Sequence, residues 1–173
     1  MAKISILLLV ALWTVATSAG PGPAQKKQKT AMLQIVKEIP PTKQMGKELY
    51  AYLFDEAPIV RKWFVGAETF TGKEVLSTTR FDQQGPRTLK AIHKLAQLWT
   101  KKEQTDFNEY VTQLVRFHDR FATFNDSAQW YKAFFPLLKG FVKTKTTLTP
   151  KQEKALDKFS AAFLKQAEIA VKQ

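Results

Sequence analysis

The chain has 173 residues, a formal net charge of +12, 45% hydrophobic residues, two histidines and no cysteine. This length and hydrophobic share indicate one packed domain and exclude a disordered or fibrous chain. The absence of cysteine excludes disulfide frameworks, thiolate zinc sites and thiol nucleophiles, and the two histidines are too few for a three-histidine metal site.

The first 19 residues have the pattern of a secretory signal peptide. Lys3 precedes an apolar run over residues 4–19, and this run ends in small residues before Gly20. A basic start, a short apolar run and a small-residue cleavage site are typical of a signal that is removed on export. We therefore predict a secreted, extracellular protein. The alternative is an uncleaved membrane anchor, for which the run is short.

A flexible basic leader is predicted to follow the signal peptide. Residues 20–30 are rich in proline and glycine and then in lysine. This composition is typical of linkers that do not pack against a core.

The rest of the chain has the period of amphipathic helices, and we predict an all-α fold of about six or seven helices. No alternating strand pattern occurs. Pro58 ends the predicted helix over residues 45–57. The Ser/Thr-x-x-acid spacing from Thr79 to Asp82 predicts a capping box at the start of the next helix. Pro86 is expected to kink that helix or to delay its start. The clearest start signal is Thr149 followed by Pro150 and Gln152. The predicted segments are 45–57, 81–100, 103–121, 127 to about 140 or 142 with a cap at 125–127 and a kink at Pro136, and 150 to the C-terminus.

Two of the apolar helix faces carry an unexpected polar side chain. Gln84 interrupts the face of the 81–100 segment, and His118 interrupts the face of the 103–121 segment. A buried polar group without a partner costs about 1–3 kcal/mol. A backbone carbonyl can satisfy a core histidine, and a glutamine at such a position is often a boundary residue. Alternatively, one imidazole on an apolar face is the single protein ligand that a haem iron requires.

An amide opposite such a histidine can donate a hydrogen bond to a gas molecule on the other side of the iron. Gln84 is the candidate for this role. Tyr50, on the 45–57 segment, is either a second donor or an ordinary half-buried tyrosine, and its spacing alone does not decide between the two.

With these residues in view, the chain resembles the nematode globins over about residues 44–170. The resemblance implies a globin fold around a haem pocket, with the globin domain over residues 44–173. It also implies a short or displaced first helix within residues 20–43, since the region before Tyr50 is shorter than in that family and contains Pro40 and Pro41. The matching segments are Glu48-Leu49-Tyr50, Phe54, Arg61-Lys62-Trp63-Phe64, Arg80-Phe81-Asp82-Gln83-Gln84-Gly85 and Arg116-Phe117-His118.

Carried over position by position, the resemblance implies a cofactor, haem b, with His118 as the proximal iron ligand and Gln84 as the distal residue. Tyr50 matches a tyrosine that donates a second hydrogen bond to oxygen in high-affinity members. Phe64 matches a phenylalanine that wedges against the porphyrin. His93 matches a histidine that lies away from the iron, so we expect a structural role for it.

Thr88 departs from the family, which usually has an aliphatic residue on the distal side at this position, one turn after Gln84. Its hydroxyl either bonds back to the carbonyl four residues earlier, leaving the methyl toward the ligand, or makes the pocket more polar. The resemblance leaves both options open.

The sequence therefore favours a secreted haem globin that binds oxygen reversibly and with high affinity. A haem protein that consumes nitric oxide or peroxide is the first alternative. Such turnover needs a supply of electrons, and the chain has no cysteine for thiol coupling. Binding or transport of a diatomic gas is thus favoured over catalysis.

The second alternative is a basic secreted helical protein that contacts anionic polymers or lipid, with no specific recognition of nucleic acid. A cationic amphipathic helix can lie on an anionic surface, although a solvated lysine face on a packed helix has the same pattern. The lysines of this face are Lys151, Lys154, Lys158, Lys165 and Lys172.

Overall fold

The computed structural model describes residues 23–120 and 127–172, and in these ranges it contains α-helices, one 3₁₀ helix and no strand. The predicted all-α fold class is therefore confirmed. None of the described helices combines the length and the apolar composition needed to cross a membrane. The elements are α1 (Pro23–Lys37), α2 (Lys43–Glu56), the 3₁₀ helix (Pro58–Trp63), α3 (Gly72–Ser77), α4 (Phe81–Thr100), α5 (Thr105–Asp119), α6 (Ser127–Lys145) and α7 (Pro150–Ala170).

The start of α7 follows the sequence pattern, whereas the start of α4 does not. Thr149 and Gln152 form a reciprocal capping box at α7, with Pro150 in the first turn. The predicted box from Thr79 to Asp82 is wrong, because Arg80 is the N-cap of α4 and forms no side-chain cap. The carboxylate of Asp82 instead contacts Lys43 at 2.5 Å and Lys47 at 3.1 Å, which ties α4 to α2.

Pro86 lies inside α4, which begins at Phe81. Of the two effects expected of this proline, a late helix start is therefore wrong, and a kink stays a prediction. The signal peptide predicted over residues 1–19 and the cap residues Asn125 and Asp126 lie outside the described residues.

The segment predicted as a flexible leader is helical from residue 23 onward. Met32 and Ile35 of α1 are buried in the core, and α1 packs against α4 and α7. The ammonium of Lys29 donates to the carbonyl oxygen of Lys101, the C-cap of α4, at 2.7 Å. Tertiary burial of one apolar face thus overrides the weak local preference of a Pro/Gly/Lys-rich sequence. The first helix is present, and it starts earlier than the composition indicates.

A close crossing of α2 and α4 positions the distal side of the site. A Cβ atom added to Gly85 would lie 2.4 Å from the carbonyl carbon of Gly46, so the two backbones meet only because both residues are glycine. Tyr50 lies one turn beyond Gly46 on α2. On α4, Gln84 and Thr88 lie on either side of Gly85 along the chain. The crossing therefore brings these three side chains together.

Aromatic side chains fill the core between α4, α5, α6 and α7. Phe159 of α7 lies between three other aromatic rings, with centroid distances of 5.7 Å to Trp99, 6.3 Å to Phe107 and 6.0 Å to Phe135. This packing fixes the helices that carry the proximal side of the site.

Candidate functional site

A cavity of about 900 Å³ is lined by residues of α2, α4, α5 and α6 and of the 3₁₀ helix with the residues after it. Its volume is in the range of sites for small molecules and cofactors, about 300–1,000 Å³. The residues predicted for the site all line this cavity: Tyr50, Phe64, Gln84, Thr88 and His118. The fold thus brings together side chains that are far apart in the sequence, from Tyr50 to His118.

His118 projects from α5 into the cavity wall. Its Nδ1 lies 2.7 Å from the carbonyl oxygen of Leu114, one turn earlier, and 2.8 Å from the hydroxyl oxygen of Tyr131 on α6. Burial lowers the pKa of His118, which favours the neutral ring. In the neutral tautomer that donates from Nδ1 to Leu114, Nε2 carries the lone pair that a metal ligand needs. The carbonyl therefore satisfies one ring nitrogen and orients the other.

Three polar groups meet in the part of the cavity wall that α2 and α4 form. The hydroxyl oxygens of Tyr50 and Thr88 are 2.8 Å apart, and Oγ1 of Thr88 donates to the carbonyl oxygen of Gln84 at 3.1 Å. Burial raises the pKa of Tyr50, and the neighbouring side chains of Thr88 and Gln84 offset part of that rise. Thr88 thus forms the back-bond to the residue-84 carbonyl that the sequence allowed. It also contacts Tyr50, which the sequence did not indicate.

Phe64 is held in an aromatic cluster at the cavity wall. Its ring centroid lies 5.1 Å from that of Phe54, 5.5 Å from Tyr50 and 5.9 Å from Trp130. Only 5% of its surface is exposed. Such edge-on and tilted contacts fix the ring plane and give this wall a rigid apolar surface.

Sequence reasoning missed several residues that line or support the cavity. Arg80 and Arg87 place positive charge at the wall, and the guanidinium of Arg80 donates to the carbonyl oxygen of Val65 at 2.6 Å. Arg87 follows Gln84 by three positions, so helical spacing alone could have indicated it. Trp130 and Tyr131 come from α6, and no local signal connects them with His118 or Phe64.

These residues fit a haem group. Aromatic walls suit a flat apolar macrocycle, the buried neutral imidazole of His118 suits an axial iron ligand, and the cations Arg80 and Arg87 suit the carboxylates of the propionate side chains. His93 lies elsewhere, with Nε2 3.0 Å from the carbonyl oxygen of Ile39, so it links α4 to the residues after α1.

The sequence profile of the globin family matches residues 47–167. The chain belongs to the globin family. A globin-like protein of Caenorhabditis briggsae is 32% identical over 127 residues, which cover 73% of this globin and 76% of that protein. Myoglobin of Ascaris suum is 34% identical over 103 residues, which cover 60% of this chain and 65% of that protein. The predicted membership of the nematode globins is therefore confirmed.

Two further similarities extend the comparison. The extracellular globin of Pseudoterranova decipiens is 28% identical over 161 residues, which cover 92% of this globin but 46% of that protein. The solved structure of the globin-like protein GLB-1 of Caenorhabditis elegans superposes with a TM-score of 0.76 at 27% identity, over 85% of this chain and 93% of that chain. The globin fold is thereby confirmed. Membership of the family implies haem binding and the binding of a diatomic gas such as oxygen.

Proposed function

We propose that this globin is a secreted protein that binds oxygen reversibly at a haem b held by Nε2 of His118. The observation that carries the proposal is the geometry of His118 on the cavity wall, where the 2.7 Å bond between Nδ1 and the carbonyl oxygen of Leu114 occupies one ring nitrogen and makes Nε2 the candidate iron ligand. The haem, when bound, supplies the ferrous iron that takes up the gas.

The protein's own contribution is to hold the cofactor and to donate hydrogen bonds to the gas. Phe64 and Trp130 pack against each other in the cavity wall, and Arg80 and Arg87, which also line the cavity, are the proposed partners of the propionates. Gln84 and Tyr50 are the proposed donors on the distal side, and together they are the proposed source of high oxygen affinity. Each well-placed donor is expected to contribute about 1–1.5 kcal/mol, which slows oxygen release about tenfold.

Secretion is supported by the N-terminal pattern of a basic residue, an apolar run and small residues. Two relatives also support it, the extracellular globin of Pseudoterranova decipiens and a cuticular globin isoform of Nippostrongylus brasiliensis. Expression of the full-length chain in a secreting cell, followed by N-terminal sequencing of the exported protein, tests this part of the proposal. Retention of residues 1–19 on a membrane-bound product would contradict it.

Absorption spectra of the ferric, ferrous and carbonmonoxy forms test haem ligation. We expect a Soret band that is lost or strongly altered in His118→Ala and retained in His93→Ala, the matched control whose ring contacts a backbone carbonyl away from the cavity. When the gas phase is switched repeatedly between argon and air, the protein should give the ferrous spectrum under argon and the oxygenated spectrum under air, with no accumulation of the ferric form. Purified protein that gains no Soret band on addition of haem would refute the proposal.

A second candidate function, binding of an anionic polymer, rests on the distribution of charge on α7. The three carboxylates of α7 all pair with lysines of α6: Glu153 with Lys143, Asp157 with Lys139, and Glu168 with Lys132. The lysine face formed by Lys151, Lys154, Lys158, Lys165 and Lys172 is exposed and makes no ion pair within the described part of the chain. The positive charge of this lysine face is therefore available to bind an anionic polymer.

Elution from a heparin column tests this second function. The double variant Lys154→Gln/Lys158→Gln should elute at lower salt than the parent, while Lys73→Gln/Lys90→Gln, which removes the same charge from α3 and α4, should shift less. Equal shifts would show that net charge alone is responsible.

A further inference from the structure

The hydroxyl groups of Tyr50 and Thr88 have only two protons for hydrogen bonds to each other, to the carbonyl oxygen of Gln84 and to a bound gas molecule. Each hydroxyl has a single proton. The carbonyl oxygen of Gln84 can only accept, so its 3.1 Å bond uses the proton of Thr88. In the 2.8 Å contact between the two hydroxyls, Tyr50 is therefore the donor. The phenolic proton points at Thr88, and the side chain of Gln84 is a further hydrogen-bonding neighbour of the same oxygen.

We propose that Thr88 sets the rate of oxygen release by competing with the gas for the hydroxyl proton of Tyr50. The inference rests on the proposed oxygen-binding function and goes beyond it. Tyr50 stabilises a gas molecule only when its proton turns from Thr88 toward the ligand. The bond to Thr88 is lost in that step, so the net stabilisation is smaller than a hydroxyl without a competing acceptor would provide.

The packing around Tyr50 holds its ring in place, so that only the hydroxyl proton can change direction. The tyrosine is 4% exposed, and its ring is held against Phe64 at 5.5 Å and Phe81 at 5.1 Å between centroids. The phenolic oxygen therefore stays where it is, and only rotation about the C–O bond changes the direction of donation.

Thr88 is constrained as well. It is half-buried on α4, and its β-branched side chain has few rotamers in a helix. The bond from Oγ1 to the carbonyl four residues earlier selects the rotamer that presents this oxygen to Tyr50. Oγ1 of Thr88 is thus already positioned to accept the proton of Tyr50 when no gas is bound.

The substitution Thr88→Val tests the inference, because it removes the hydroxyl and keeps the shape of the side chain. We expect oxygen dissociation to slow about tenfold, with a much smaller change in carbon monoxide dissociation, since oxygen accepts the stronger hydrogen bond. A spectroscopic readout is the C–O stretching frequency of the carbonmonoxy form. It should fall in Thr88→Val, because a proton now points at the gas.

A double-mutant cycle that combines Thr88→Val with Tyr50→Phe measures the interaction between the two hydroxyl groups. The loss of the tyrosine hydroxyl should accelerate oxygen release by a larger factor in the Thr88→Val background than in the parent. Thr88→Ser, which retains an acceptor at this position, should keep release faster than in Thr88→Val. Thr112→Val is the matched control, since Oγ1 of Thr112 bonds the carbonyl of Asn108 in the same i−4 pattern on α5.

Faster or unchanged oxygen release in Thr88→Val would overturn the inference, as would an equal effect of Tyr50→Phe in the two backgrounds. In the haem-free protein, the NMR signal of the Tyr50 ring carbon that bears the hydroxyl should shift in Thr88→Val and not in Thr112→Val. No shift would also overturn it. A protein that takes up haem and oxygen but shows no coupling refutes this inference alone, whereas one that binds no oxygen refutes the proposed function too.

Discussion

The hydroxyl oxygen of Tyr131 lies 2.8 Å from Nδ1 of His118 and 3.3 Å from the carbonyl oxygen of Leu114. The tyrosine, the histidine and the carbonyl thus form a triangle behind the imidazole. Tyr131 is buried, and its ring packs on Phe163 of α7 with centroids 4.7 Å apart. The orientation of the candidate iron ligand on α5 therefore depends on α6 and α7 as well.

Tyr131→Phe should weaken haem retention without abolishing it. Groups that hydrogen-bond a metal-bound histidine typically affect metal affinity by 10–100-fold, and the Leu114 carbonyl remains, so we expect about tenfold faster haem transfer to a high-affinity acceptor protein. Haem loss is followed by the decay of the Soret band. Tyr110→Phe changes a half-buried tyrosine of α5 outside the cavity lining and should leave the rate near that of the parent. Identical rates in the two variants would contradict a role for Tyr131.

Gly85→Ala should destabilise the fold and disturb the distal side. The new Cβ atom would lie 2.4 Å from the carbonyl carbon of Gly46, so the backbones of α2 and α4 must separate. Overpacking of this kind costs about 1–3 kcal/mol, and we expect a value near the upper end. The measurement is the free energy of unfolding in urea.

Gly140→Ala is the comparison for this prediction. The obstacle there is the hydroxyl of Tyr52, 2.2 Å from the new Cβ atom. The Tyr52 side chain is half-buried and can rotate away. The helix propensity gained, about 1 kcal/mol, offsets that movement. A Gly140→Ala loss as large as that of Gly85→Ala would show that the helix crossing is not specially tight.

Ile35→Ala tests whether α1 is part of the core. Its side chain is fully buried between α1 and the rest of the fold. Truncation of a buried isoleucine costs about 2–5 kcal/mol, so the urea midpoint should fall clearly. Lys27→Ala, at an exposed position on the same helix, should change the free energy of unfolding by no more than about 0.5 kcal/mol. A flexible segment would instead tolerate both substitutions equally.

Asp82 makes stability depend on pH. Hydrogen bonds and charge from Lys43, and then from Lys47, hold the pKa of this carboxyl below its ordinary value of 3.8. A carboxyl with a depressed pKa in the folded state stabilises the protein above its ordinary pKa and loses that contribution as pH falls through the folded-state value. The stability advantage of the parent over Asp82→Asn should therefore be present near about pH 6 and shrink below about pH 4.

Urea unfolding followed by far-ultraviolet circular dichroism measures this difference at each pH. Asp106→Asn removes an ion pair in which both side chains are more than half exposed, and its effect should be smaller because solvent screens the pair. An advantage over Asp82→Asn that grows as pH falls would have the wrong sign and would refute the assignment.

The sequence by itself determined that α2, α4, α5, α6 and α7 are helical, and it indicated which faces of α4 and α5 are apolar. The apolar period along α4 and α5, the cap at Thr149, and the polar interruptions at Gln84 and His118 all arise from spacing within a few turns of one helix. Such local patterns translate directly into a helix face, because 3.6 residues complete a turn whatever surrounds the helix. The resemblance to nematode globins added the roles expected of Tyr50, Phe64 and Thr88.

Only the tertiary structure decided which groups on different helices share a proton or a packing surface. Three features depend on how helices pack against each other: the helical structure of α1, the contact of Tyr131 with His118, and the contact of Tyr50 with Thr88. The Gly46–Gly85 contact allows one of those crossings, because a Cβ atom at either position would collide with the other backbone. Hydrogen bonds form only over a narrow range of distance and angle, which the pattern of one helix does not fix. The resemblance therefore indicated Thr88 as a residue of the site, and the crossing of α2 and α4 brought its hydroxyl to within hydrogen-bond distance of Tyr50.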